Sequence, residues 1–234
     1  LQKRIKSKTG LILDPYFSAT KIKCILENVP KAKNLLKKNR LLFGTVDTYL
    51  VWKLTGGKIH ATDSTNASRT MIFNIKKNCW DKKLLKLLKI PHIILPDVKN
   101  SADDFGLTNK SITTKSYPIS GVIGDQQAAL VGQGCFKNGD MKSTYGTGCF
   151  LMVNTEEKPI YVEEGLLTTI AYKLKGETHY AIEGSLYSSG NIIKWLRDKM
   201  KFFSTAKESE KFLSKNGNSN NVYFLPAFNG LGAP

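Results

Sequence analysis

The sequence predicts a mixed fold, α/β or α+β in arrangement, on three observations. Apolar residues recur at helical spacing through the first half, strand-like runs dominate after Gly139, and no solenoid repeat or low-complexity linker interrupts the chain. With 234 residues and 41% apolar content it can bury a sizeable core, and its length suits one large domain or parts of two.

Taken in order, Ile22, Ile25, Leu26 and Val29 predict a helix over 18–29, with Ser18 as its cap. Val46, Leu50, Val51 and Leu54 predict a second over 45–54, ended by Gly56-Gly57. A third spans 81–89, where Leu84, Leu85, Leu87 and Leu88 alternate with lysines and Pro91 stops the pattern. Residues 118–124 read as a short buried strand running into a turn. Residues 125–132, rich in Ala and Gln, read as a helix with Asp125 at its N-cap. Strands follow over 140–145, 149–155, 166–174 and 179–183; turns at Gly146-Thr147-Gly148 and Lys175-Gly176 make them two hairpins. Ile192, Ile193, Trp195, Leu196 and Met200 form the apolar stripe of a helix over 189–203, and a polar loop over 216–221 precedes a last strand over 222–226. The change of character near 133–140 is the expected domain boundary, giving 1–134 and 135–234.

The net charge of +16 invites a nucleic-acid reading, which the composition opposes. Only four of the 35 basic residues are Arg (Arg4, Arg40, Arg69 and Arg197), whereas base and phosphate recognition favours the bidentate guanidinium. The lysine runs at 31–38 and 82–89 fall on polar helix faces, without interleaved aromatic residues for base stacking. Solvated lysine faces and no nucleic-acid partner are therefore expected. Cys24, Cys79, Cys135 and Cys149 are scattered, as are His60, His92 and His179, so neither zinc nor a disulfide framework is implied; each Cys is expected to be a small buried hydrophobe in a reducing compartment. No apolar run reaches the roughly 18 residues of a spanning helix and no signal pattern opens the chain, so a soluble protein without a membrane span is expected. Both ends read as cuts rather than natural termini.

Two short elements carry chemistry. Asp125, between a strand end and a helix start, is a rigidly held carboxylate suited to positioning or deprotonating a hydroxyl. Gly146-Thr147-Gly148 can bring backbone N–H groups and a Thr hydroxyl close to a phosphate. Taken singly, the first is most often only a helix cap and the second only a tight hairpin turn. Twenty-two residues apart on either side of the expected boundary, they predict a cleft and point to phosphoryl transfer.

Longer stretches add a resemblance. Residues 11–21 (LILDPYFSATK), 43–50 (FGTVDTYL), 65–71 (TNASRTM), 124–129 (GDQQAA), 144–150 (TYGTGCF) and 165–170 (GLLTTI) resemble, in the same order and over nearly the whole chain, the glycerol kinases of the FGGY carbohydrate kinase family. The resemblance implies two actin-like, ribonuclease-H-like domains closing on ATP, Mg²⁺ and glycerol, with this chain carrying the end of the first and the start of the second. It implies Asp125 as general base, Gln126 and Tyr16 as hydrogen-bonding partners of glycerol, and Phe150 packed on its carbon chain. Gly146, Thr147, Gly190 and Lys194 would meet the nucleotide, and no metal ligand is assigned. Lys194 departs from the Gln of the family's best-known bacterial members, and the loop over 108–117 lacks the Gly-Arg pattern with which they bind fructose 1,6-bisphosphate. A cytoplasmic homo-oligomer, dimer or tetramer, is also implied. Because the family's N-terminal phosphate loop, its Arg-Glu and Trp glycerol contacts and its C-terminal adenine site fall outside the 234 residues, the segment alone is expected not to turn over. The competing readings are a kinase for another polyol or sugar and a catalytically silent interaction module.

Overall fold

The computed structural model describes residues 1–162, 165–216, 221–225, 227, 228, 230 and 232. Its first half is helical around two small sheets. Helix α1 (Gln2–Thr9) stops at Gly10, whose φ of 75° is left-handed. That glycine is also a crossing point: a Cβ there would lie 1.9 Å from the Thr168 carbonyl oxygen. No other residue type fits both demands. Helices α2 (Ser18–Asn28), α3 (Pro30–Lys37) and α4 (Val46–Leu54) follow; Pro30 opens α3, where a missing N–H costs nothing. Strand β1 (Ala61–Asp63) leads directly into α5 (Ser64–Ser68), and β2 (Phe73–Asn74) pairs with β3 (Cys79–Trp80). Helix α6 (Lys82–Leu88) starts from an Asp81 carboxylate that accepts the N–H groups of Lys83 and Leu84 at 3.0 Å each, and β4 (Asp97–Lys99) runs parallel to β1. Ile5, Leu11, Phe17, Ile22, Met71, Phe73 and Leu84 belong to one buried core that holds these elements. The lysines of α3 and α6 face outward.

The second half begins with α7 (Asp125–Gly132) and is built on a four-stranded antiparallel sheet of β5 (Met141–Tyr145), β6 (Cys149–Glu156), β7 (Leu167–Leu174) and β8 (Glu177–Leu186), in the order β5-β6-β8-β7. Register decides which residues share a face, because directly opposed side chains project to the same side. Thr144, Phe150 and Ser185 form one such row, and Lys142, Met152, Glu183 and Leu167 the next. Helix α7 covers this face: Leu130 packs in one cluster with Met152, Ala171 and Ala181. Helices α8 (Gly190–Asp198) and α9 (Ser209–Asn216) follow the sheet. No helix among the described residues is long and apolar enough to cross a membrane.

Several expectations need correction. Residues 118–124 form no strand; Pro118, Ser120 and Gly121 are exposed while Ile119, Val122 and Ile123 pack partly buried against the core, and Pro118 and Gly121 make only isolated bridges to Leu107 and Ala102. Ser18 is the first residue of α2 and Phe17 holds the cap position, without a side-chain cap. Gly124, not Asp125, is the N-cap of α7, so the carboxylate belongs to the first helical turn. Helix α8 ends at Asp198, five residues short of the expected stop, and Met200 is exposed beyond it. Residues 222–225 form no strand, and Pro226 lies outside the described residues, as do 217–220 of the polar loop. Cys135 and Cys149 are buried as expected, but Cys24 and Cys79 are exposed.

Candidate active site

The site is built from the bottom by a buried polar chain. The Asp63 carboxylate, fully buried, accepts the N–H groups of Thr65 and Asn66 and the hydroxyls of Thr65 and Ser101. A carboxylate with that many donors is fixed, and it fixes α5 although a five-residue helix has little stability of its own. The Thr65 hydroxyl, oriented by Asp63, accepts the Gly124 N–H at 2.8 Å, so the start of α7 hangs from α5. A side chain at Gly124 would meet Gln127 Oε1 at 2.5 Å. Buried Gln127 shares Thr169 of β7 with Ser68 of α5. These links hold Asp125 and Gln126 at a defined height over the sheet.

Above them opens a cavity of about 320 Å³ lined by Tyr16, Ser18, Asn66, Arg69, Asp125, Gln126, Phe150 and Glu183, with Gly124 and Gln127. It gathers all four residues expected at a polyol site: Tyr16, Asp125, Gln126 and Phe150. Tyr16 is 68% exposed and packs edge-on against Phe17, whereas Phe150 rises from the sheet row between Thr144 and Ser185. Asp125 and Gln126 supply acid and amide, Tyr16 a phenol and Phe150 an apolar face, a mixture that suits a small molecule with polar and apolar edges.

Charge around the cavity alternates. Arg69 gives Glu183 two parallel bonds of 2.9 Å each, joining the end of α5 to β8, and the Glu183 side chain is buried. Lys142, only 3% exposed, donates to Gln126 Oε1 and, at 3.0 Å, to Thr144 Oγ1. Burial pushes its ammonium below the usual lysine range, while the negative charges of Glu183 and Asp125 push it back up.

The Gly146-Thr147-Gly148 turn connects β5 to β6 just beyond Phe150 and does not line this cavity. It is stitched instead to the start of α8, where Ser189 N–H donates to the Thr147 carbonyl at 2.8 Å and Gly190 N–H to the Gly146 carbonyl at 2.9 Å. Gly148 and Gly190 are required by approach: a Cβ on either would sit 2.5 Å from a backbone oxygen, of Leu186 and Gly146 respectively. Gly146, Thr147 and Gly190 thus come together, and Lys194 stands exposed on α8, one turn beyond Gly190.

Comparison with known proteins decides the family. Residues 1–132 match the N-terminal domain, and residues 141–234 the C-terminal domain, of the FGGY family of carbohydrate kinases. The chain belongs to the FGGY family. Among FGGY relatives, the glycerol kinase of Clostridium botulinum (strain Langeland) is 55% identical over 234 residues, all of this chain and 47% of that protein. The glycerol kinase of Natranaerobius thermophilus is 52% identical over 235 residues, again all of this chain and 47% of that protein. The chain spans about half the length of the curated relatives it matches. A crystal structure of Plasmodium falciparum glycerol kinase with ADP superposes with a TM-score of 0.92 at 38% identity, over 97% of this chain and 46% of that one. A Lactobacillus acidophilus gluconate kinase structure, at 23% identity and a TM-score of 0.83 over 100% of this chain and 47% of that one, shares the fold. The fold is the actin-like, ribonuclease-H-like arrangement of FGGY kinases.

Asn66, Arg69 and Glu183 line the cavity and escaped the sequence reading as functional candidates. The Thr65–Met71 motif contains the first two, but nothing in it shows that Arg69 meets a carboxylate 114 residues away. Lys142 also escaped, as one lysine among many whose burial depends on strand pairing.

Proposed function

We propose that the protein phosphorylates glycerol to sn-glycerol 3-phosphate with ATP, as the family segment that supplies the base and part of the polyol contacts. The observation that carries this reading is the single cavity that gathers Tyr16, Asp125, Gln126 and Phe150, in a chain 52–55% identical to proteins named glycerol kinase. Asp125 accepts the proton of a terminal hydroxyl as that oxygen attacks the γ-phosphorus in line, and ADP leaves. Gln126 and Tyr16 hydrogen-bond the remaining hydroxyls, and Phe150 covers the carbon chain. Thr147 offers its hydroxyl to the nucleotide, Gly146 and Gly190 let the phosphates approach the backbone without a Cβ in the way, and Lys194 is a cation one turn along the same helix.

Mg²⁺ belongs to this reading as the ion that accompanies ATP and screens its phosphates. Among the described residues no group of three or more His, Cys, Asp or Glu could hold a metal ion by itself, so no protein ligand set is assigned. The reading divides the chain at 134/135 into polyol-side and nucleotide-side portions and places the full-length protein in the cytoplasm as a homo-oligomer.

The test is Asp125→Asn in the full-length protein. Glycerol affinity should persist within a few-fold while kcat falls by about 10²- to 10⁴-fold, the range a positioned base contributes. Turnover at the wild-type rate would remove Asp125 from this role. Comparing kcat/KM for glycerol with that for pentuloses and gluconate tests the substrate separately.

A further inference from the structure

We propose that Lys142 is a positioning residue: by donating to Gln126 Oε1 it fixes the Gln126 carboxamide with its NH₂ toward the cavity, making Gln126 a hydrogen-bond donor to the polyol. The inference rests on the polyol-kinase reading above and deepens it, because it names the polarity of one contact and the residue that sets it.

The argument begins with what an ammonium can do. It carries three donors and no acceptor, so the carboxamide atom facing it is the carbonyl oxygen; the opposite orientation would set N–H against N–H. The second anchor, Thr144 Oγ1 at 3.0 Å, leaves the Lys142 side chain little room to swing away. Lys142 is buried on the sheet face beneath α7, and Glu183 and Asp125 supply the negative charge that keeps a buried cation tolerable. With its oxygen held from below, Gln126 keeps its amide nitrogen for the cavity that it lines. An NH₂ there requires an acceptor, and a hydroxyl oxygen is one.

A double-mutant cycle of Lys142→Met and Gln126→Leu in the full-length protein tests this. Lys142→Met should raise the polyol KM about tenfold with the KM for ATP unchanged within twofold, the loss expected when an untethered carboxamide no longer makes its hydrogen bond to the polyol. The double variant should lose no more than Gln126→Leu alone. Discrimination against propane-1,2-diol and propane-1,3-diol, each lacking one hydroxyl, should collapse in Lys142→Met for the diol missing the hydroxyl that Gln126 meets. Thr144→Val, which removes only the second anchor, should give a smaller shift in the same direction. A Lys142→Met protein with wild-type polyol KM, or single losses that multiply in the double variant, would overturn the proposal. The cycle is read with whichever polyol the wild type phosphorylates, so a wrong substrate assignment fails in the wild type while a wrong role for Lys142 fails in the variants. A wild type that phosphorylates no polyol overturns both.

Discussion

Asp81 shows how one side chain can serve several elements. It caps α6, accepts from Asn74 of β2 at 2.9 Å and pairs with Lys8 of α1. Burial alone would raise its pKa, but the bonds from Lys8, Asn74 and Leu84 hold it down to about 2. A carboxyl depressed in the folded state adds stability above its unfolded pKa of about 4 and loses it as pH falls towards 2, an effect on the order of 2 kcal/mol. Asp81→Asn should therefore destabilise the full-length protein by roughly that amount at neutral pH, with the gap to wild type closing between about pH 4 and pH 2; denaturant titrations across that range would check it. The cap was within reach of sequence reasoning, since an acidic residue precedes an apolar-periodic run. The ion pair was not, because Lys8 lies 73 residues upstream and only the packing of α1 on the β2–β3 hairpin brings it there.

At the scale of elements, legibility followed periodicity. The helices over 18–29 and 45–54 were visible through regular apolar spacing, that over 125–132 through its Ala and Gln content, and the four strands through their strand-like runs; the hairpin turns paired β5 with β6 and β7 with β8, but not β6 with β8. Helix α5 was invisible: Ser64–Ser68 has no apolar stripe, and it is held by the Asp63 cap and the Ser68–Thr169 contact with Ala67 as its one apolar core residue. The extended segment over 118–124 was misread for the converse reason, since Ile119, Val122 and Ile123 make it apolar although it pairs only through isolated bridges. The seam between the β5–β6 turn and α8 is another close approach of backbone to backbone. Gly190→Ala would drive a methyl to 2.5 Å from the Gly146 carbonyl oxygen and should cost about 1–3 kcal/mol, read as a lowered unfolding midpoint. A change within 0.5 kcal/mol would mean that the turn moves aside at no cost.

The molecule as a whole is joined across its two family regions by the fork between Arg69 and Glu183, together with Gly10 against Thr168 and Ser68 against Thr169. Removing one partner of a buried pair leaves the other charge stranded, so Arg69→Met should destabilise the full-length protein by about 3 kcal/mol. Arg69→Met combined with Glu183→Met should recover part of that loss, and equal or greater damage in the double variant would contradict the pairing argument. None of this joinery was legible in the sequence, where Arg69 was one of four arginines weighed against nucleic acid and Glu183 the end of an anticipated strand. Gln126, Tyr16 and Phe150 were legible as site residues only because their motifs resemble a family, whereas Asp125 was marked beforehand by its pairing with the Gly146-Thr147-Gly148 turn.

The charges around the cavity have a consequence for what enters it. Asp125, Lys142, Glu183 and Arg69 sum to zero, so the whole +16 excess of the chain resides elsewhere, on lysine surfaces that dissolved salt can screen. An uncharged guest thus meets a pocket whose own four charges cancel in sum. Its capture depends on fit and on the direction of individual dipoles, and ionic strength has little hold on it.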